Sequence, residues 1–312
     1  MVDLPAVLIT VRFALYVDLM LAFGLPLFAL YTVPARRNEG GAVASRLALS
    51  AVSLAGAGLS ILGLLLIAAS MSDVPPFELD RGSIDVLLND TAIGTASKIR
   101  VVALLVAALL GFWPAARRQF RCALQSTMAA VALASLAWIG HGAADEGLRG
   151  LLHVTADIIH LLAAGIWVGA LAGLLLLLAQ ARNAGIDRTD RIAHAHRALA
   201  GFATVGMVAV ALIVATGLVN SWFLVGFANI SSLASSLYGR LLILKLVIFA
   251  GMIGLAGLNR FKLTPAITAR GGALVAGAMR SIRRSVALEA SLALIVLGLV
   301  AWLGTLAPPA SR

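Results

Sequence analysis

The sequence predicts an all-α polytopic membrane protein, an eight-helix bundle forming a single membrane domain over residues 1–312, with both termini outside. Three observations predict it. The chain is 61% hydrophobic with a mean hydropathy of +1.00 and only 12% charged residues. A soluble domain carries roughly 25% charged residues, so no soluble domain of useful size is left over. Eight apolar segments approach the roughly 20 residues that span a bilayer. The loops between them alternate in charge.

The segments run in order from Ala6 to Val33, Leu47 to Met71, Ile99 to Trp113 and Leu124 to Ile139, then from Leu151 to Ala181, Leu199 to Phe227, Leu237 to Leu258 and Val286 to Leu306. Met1 to Pro5 lacks the basic stretch that opens a signal peptide, so the first segment is expected to be a retained helix. The third and fourth are short, but Pro114 and the Arg117–Arg118 pair separate them. Small residues at Gly165 and Gly169 in the fifth form a close-approach motif for a neighbouring helix. Trp167, Trp222 and Trp302 are read as packing or interface residues.

Charge sets the orientation. The first loop holds Arg36, Arg37 and Arg46, and the third holds Arg117, Arg118 and Arg121. The fifth holds Arg182, Arg188, Arg191 and Arg197. The seventh holds Arg260, Lys262, Arg270, Arg280, Arg283 and Arg284. These three, three, four and six residues make 16 of the 24 basic side chains. The even loops are acidic or neutral: Asp73, Glu78, Asp80, Asp85 and Asp90, then Asp145 and Glu146, then no charge from Gly226 to Ser236. Positive charge marks the cytoplasmic side. The net charge of +10 is therefore a topology signal, with the seventh loop at the anionic inner leaflet, and nucleic acid is not the expected partner. The longest outer segment, Ser72 to Ser97, reads equally as a partly ordered cap with a short amphipathic stretch near Ile84 to Leu88 or as a solvated loop.

Ionisable residues at membrane depth are functional candidates. His153, Asp157 and His160 recur at offsets of four and seven, one stripe of the fifth helix about 10 Å long. Two imidazoles and a carboxylate on one stripe suit a metal, a haem or a proton. His141 reaches the same outer surface from the neighbouring helix and is a further candidate ligand. Asp157 either ligates or orients an imidazole by accepting its N–H. Imidazole suits copper, zinc, nickel and iron; thioether from Met20 or Met71 would favour Cu(I). The single cysteine, Cys122, excludes a disulfide framework and a Cys-rich metal site.

Other buried polar residues are read as ion-pair or proton candidates. Arg12 and Asp18 are six residues apart on the first helix, face different directions, and each needs a partner elsewhere. Lys245 is deeper than snorkelling explains, and Asp18 is its expected partner. Lys98, Arg100 and Arg240 stand near helix ends and are expected to snorkel. Glu289 is read as structural or at the interface, and His194 and His196 as solvated in a basic inner loop.

His160-Leu-Leu-Ala-Ala-Gly-Ile-Trp167-Val-Gly169 resembles the signature of the CopD-type copper resistance proteins. So do Thr216-Gly-Leu-Val-Asn220, Tyr238-Gly-Arg240-Leu-Leu-Ile-Leu-Lys245 and Leu258-Asn-Arg260-Phe-Lys262-Leu-Thr-Pro265. The resemblance is clearest from about Gly140 to Pro265. It implies an inner-membrane copper-handling protein working with a periplasmic copper-binding partner of the CopC type, expected to be a separate chain. It also implies that His160 and Asp157, with His141 and His153, meet the copper ion. No P-loop or phosphorylation motif is visible, no catalytic residue is assigned, and transport would be passive or ion-coupled. Asp18, Asp157 and Lys245 are then the residues able to exchange protons. Two alternatives differ in kind. A b-type haem protein needs facing histidines on two helices, and no His occurs in helices one, two, three, six, seven or eight. A copper-binding assembly or sensory factor would bind without moving the ion.

Overall fold

A computed structural model describes residues 4–32, 45–72, 74–113, 116–139, 147–183, 188–226, 229, 233–263 and 273–311. The described residues contain no strand and eight helices long and apolar enough to cross a membrane. In order, α1 is Leu4–Thr32, α2 is Arg46–Ser72 and α3 is Arg81–Asn89, a short helix that does not span. Then come α4 (Ala92–Leu110), α5 (Arg118–Ala134), α6 (Gly147–Asn183), α7 (Arg188–Val225), α8 (Leu237–Leu258) and α9 (Ala273–Leu303). Eight crossings return the described chain to the face on which α1 begins, called the terminal face below.

The boundaries differ from expectation where charge misled. α4 begins at Ala92, seven residues before the predicted Ile99, and runs straight through Lys98 and Arg100. Thr91 caps it by accepting from the Gly94 N–H at 3.0 Å. α5 likewise begins at Arg118 rather than Leu124 and tightens into a 3₁₀ turn over Ser135–Trp138. α7 and α9 start well before Leu199 and Val286. A polar segment next to an apolar one continues the same helix, because backbone hydrogen bonding carries on past the bilayer edge. The amphipathic stretch expected near Ile84 to Leu88 is α3, with Leu87 buried. Asp80 caps it, accepting from the backbone N–H of Gly82 and Ser83 and from the Ser83 hydroxyl, which holds its carboxyl below the usual carboxylate range.

α1 is the hub, packing on α2, α5, α6 and α9. Leu19, Phe28 and Ala29 on it are wholly buried. One apolar cluster joins α1 to α2, α4 and α5 through Leu19, Phe23, Leu104 and Leu133; another joins it to α6, α8 and α9 through Phe28, Trp167, Met252 and Val286. Lipid is as apolar as leucine, so burial alone does not drive this packing; close approach and interhelical hydrogen bonds do. The predicted close-approach motif works in this way. A Cβ added to Gly24 of α1 would lie 2.6 Å from the Gly169 Cα and inside contact with the Gly165 carbonyl, so the two backbones touch. Ser126 donates to the Phe23 carbonyl at 3.1 Å, Ser50 to that of Ala108 at 2.8 Å, and Gln125 to that of Ala107 at 3.1 Å. Such bonds contribute about 1 kcal/mol each. α7 and α8, though consecutive, scarcely touch. Their exposed Met207, Val208, Leu218, Leu246 and Val247 present an apolar surface suited to lipid.

Candidate metal-handling site

The α6 stripe meets α7 in register. α6 and α7 run antiparallel, and the three polar residues of the α6 stripe each meet an α7 side chain, two of them polar and one aromatic. His153 stacks on Phe223, with ring centroids 4.5 Å apart and planes 7° from parallel. Asn220 Nδ2 donates to Asp157 Oδ1 at 2.7 Å. His160 Nδ1 lies 3.0 Å from Thr216 Oγ1. The offsets of four and three on α6 are matched by three and four on α7, as two helices of equal pitch require. Gly217, beside the third rung, leaves room for the His160 ring: a Cβ there would stand 3.5 Å from His160 Cε1.

The third rung fixes a tautomer. Thr216 Oγ1 lies 2.6 Å from the Leu212 carbonyl oxygen, a contact that only the hydroxyl proton can make. The Thr216 oxygen must then accept from His160 Nδ1–H. Nε2 then carries the ring's lone pair, the form in which imidazole binds a metal, and the ring also hydrogen-bonds the Ile213 backbone.

The second rung is the electrostatic centre. The carboxylate of Asp157 acts on the Lys245 ammonium from α8, the His153 ring, and the phenols of Tyr16 and Tyr238. Lys245 also acts on His160. Three elements besides α6 therefore turn polar groups toward Asp157. His153 is buried, while Asp157, His160 and Lys245 are half-buried. Arg149, one turn before His153, lays its guanidinium 5.3 Å from the Phe223 ring centroid and covers the terminal-face end of the ladder.

The structure separates other expected partners. Asp18 does not pair with Lys245: its carboxylate is packed on Gly56 of α2, where an added Cβ would strike Oδ2, and no cation acts on it. The two side chains leave the bundle core in different directions because α1 turns that face toward α2. The thermal effects of Asp18→Asn and Lys245→Met should therefore add in the double variant within about 0.5 kcal/mol, as for separated sites. A non-additive melting shift in detergent would show that they interact.

Arg12 reaches the Gly304 carbonyl just beyond α9. Arg240 donates to the carbonyls of Ala234 (3.0 Å) and Ser235 (3.4 Å) and stays exposed, as expected of a residue at a helix end. Arg100 does not snorkel. It is 1% exposed and donates through Nε to Ser135 Oγ at 2.9 Å and through Nη2 to the Ser135 carbonyl at 3.3 Å. The 3₁₀ turn at the end of α5 supplies these acceptors. Met20 is buried in the α1 core and Met71 is exposed, so neither joins the ladder. Glu289 is 1% exposed and accepts from Trp167 Nε1 at 2.7 Å.

His141 lies outside the described residues, as do the side chains of His194 and His196. Among the described residues, no three His, Cys, Asp or Glu side chains converge as a metal cage. His153 and His160 are both on α6, so they do not form the facing pair that a haem needs. The partners missed from the residues alone are Tyr16, Thr216, Asn220 and Tyr238. Thr216 and Asn220 carried a signal, polar residues four apart in an apolar helix; the aromatic pair carried none.

The family model described as Copper resistance protein D-like, N-terminal domain, matches residues 1–151, and that described as Copper resistance protein D matches residues 196–303. The α6 stripe falls between these segments, and its α7 partners fall in the second. Copper resistance protein D of Pseudomonas syringae pv. tomato is 43% identical over 304 residues, covering 96% of each chain. Inner membrane protein YebZ of Escherichia coli (strain K12) is 32% identical over 42% of each chain. Copper transport protein CutJ of Bacillus subtilis (strain 168) is 32% identical over 41% of this chain and 22% of its own. No solved structure matches the chain.

Proposed function

Because the chain belongs to the copper resistance protein D family, we propose that it moves copper ions across the bacterial inner membrane along the polar ladder between α6 and α7. The observation that carries this reading is the three-rung register itself. It keeps the polar stripe of α6 matched by Phe223, Asn220 and Thr216 of α7 inside an apolar bundle, with Nε2 of His160 as the ring's acceptor nitrogen. Intramembrane polar groups are costly and are kept where an ion passes. A ladder of one or two donors per rung suits an ion in transit, which must bind firmly enough to enter and weakly enough to leave. His160 and Asp157 are the primary contacts, with His153 and His141 as further ligands.

Lys245 gives the ladder a resting counter-charge. Its charge acts on Asp157 through space. An arriving cation takes over Asp157 and repels Lys245, so the site trades one positive charge for another and the carboxylate is never stripped bare in lipid. The termini and the loading end face the periplasm, where a CopC-type copper-binding protein would deliver the ion. The basic loops face the cytoplasm.

Two measurements test this. Purified protein in proteoliposomes should carry radioactive copper at a rate well above empty vesicles; binding without flux would support a sensory or assembly factor instead. Reporter fusions at Arg312 and near Asp187 should report opposite sides of the membrane, with Arg312 periplasmic; the same side for both would overturn the orientation.

A further inference from the structure

The α6 stripe does not stop at His160. Seven residues on, one full repeat and about 10 Å deeper, stands Trp167, followed on the same side by Leu171 and Leu174. All three line a cavity of about 570 Å³ between α6, α7, α8 and α9, in the half of the bundle away from the termini. Its walls are apolar: Phe202, Gly206, Met207 and Val210 from α7 and Ile253 from α8. α7 and α8, which scarcely touch, form two of its sides. Glu289, from α9, lies in this wall.

Two motifs read in the sequence converge on that acid. Trp167 Nε1 donates to Oε1 at 2.7 Å, and Asn259, in the π-turn that ends α8, donates from Nδ2 to Oε2 at 3.3 Å. The hydrogen-bond donors to the carboxylate are thus two neutral N–H groups. Among the described residues, the charged groups around it are few. Arg260 lines the same cavity, its guanidinium 5.5 Å from the Phe261 ring centroid. The α7 residues named above include nothing ionisable. The charges of α1 are engaged elsewhere, Arg12 at Gly304 and Asp18 against Gly56. On α9 the nearest are Arg283 and Arg284, more than a turn away. A carboxylate so buried is costly unless a cation accompanies it, and a proton is the smallest that does. Oε2, with the longer of the two contacts, is the oxygen able to carry it.

We propose that Glu289, held between Trp167 and Asn259 on the wall of the cavity between α7 and α8, is a proton-exchange site that couples copper movement to the proton gradient. The step is one O–H bond formed or broken at Oε2, with the proton passed to or from water reaching the cavity; nothing is oxidised or reduced. Held on the continuation of the copper ladder, the acid is placed to take up or release a proton as the ion passes. The coupling role rests on the proposed copper transport; the proton site does not.

Two experiments separate these. In a pH titration of purified protein by tryptophan fluorescence, the indole beside Glu289 should report its change of charge. The transition should be present in the wild type and absent in both Trp167→Phe, which removes the reporter, and Glu289→Gln, which removes the acid. A transition unchanged in Glu289→Gln would overturn the proton site. If Glu289→Gln does not fold, Glu289→Asp replaces it; there the transition must shift, and an unshifted one is equally fatal. In proteoliposomes, an imposed pH gradient should change wild-type copper flux severalfold and leave Glu289→Gln flux unchanged. Wild-type flux indifferent to the gradient would overturn the coupling alone. No wild-type flux at all would overturn the transport reading and the coupling together, with the fluorescence titration still deciding the proton site.

Discussion

Replacing Asp157 and His160 together with alanine is expected to weaken copper binding at least a hundredfold. Loss of a ligand or its orienting partner commonly costs tenfold to a hundredfold, and the two rungs act on one ion. Asp157→Ala has a side effect that must be separated from binding. It also removes the carboxylate whose field acts on Lys245, which lowers stability as well as binding. The binding comparison is therefore made in a Lys245→Met background, which removes that ammonium. Asn220→Leu probes the same rung from the other side. It deletes the 2.7 Å donor to Asp157 Oδ1 and should weaken copper about tenfold with the ligands intact. Metal analysis and isothermal titration of the purified variants check both. Wild-type stoichiometry and affinity in the Asp157/His160 double variant would remove the ladder as the copper site.

The largest loss of stability is expected from Gly169→Val. The added carbons fall on the Gly24 backbone of α1, where neither partner has a side chain that can swing aside. Overpacking costs about 1–3 kcal/mol where side chains can yield, and more where they cannot. α1 holds both apolar clusters together, so forcing it away from α6 loosens α2 and α5 as well. The variant should melt far below wild type in detergent or fail to purify as a monodisperse species. Gly251→Ala is the matched control. Nothing lies within 4 Å of the position its Cβ would take, so it should be neutral or stabilising by up to about 1 kcal/mol from helix propensity. Equal losses in the two would mean that helical glycine is sensitive everywhere and that the α1–α6 contact is not special.

What the sequence determined by itself is local or summed along the chain. Apolar run length decides which segments can span, because the bilayer thickness is fixed, and all eight appear as helices. Helix pitch decides that His153, Asp157 and His160 share a face and that Gly165 and Gly169 allow close approach. Those features need no knowledge of which helix is adjacent. Tertiary structure alone decided the partners. Asp18 and Lys245 looked complementary as lone charges, yet α1 turns Asp18 onto Gly56 while Lys245 on α8 lies in the field of Asp157. Arg100 looked like a snorkelling end residue, yet a 3₁₀ turn on another helix buries and satisfies it. Glu289 looked incidental until two distant motifs, at Trp167 and Asn259, were seen to hold it. The reason is physical. Inside lipid a polar group must find its partner in the protein, and which partner it finds depends on the rotation and depth of packed helices. That arrangement is set by small-residue contacts such as Gly24 on Gly169, between residues far apart in the chain.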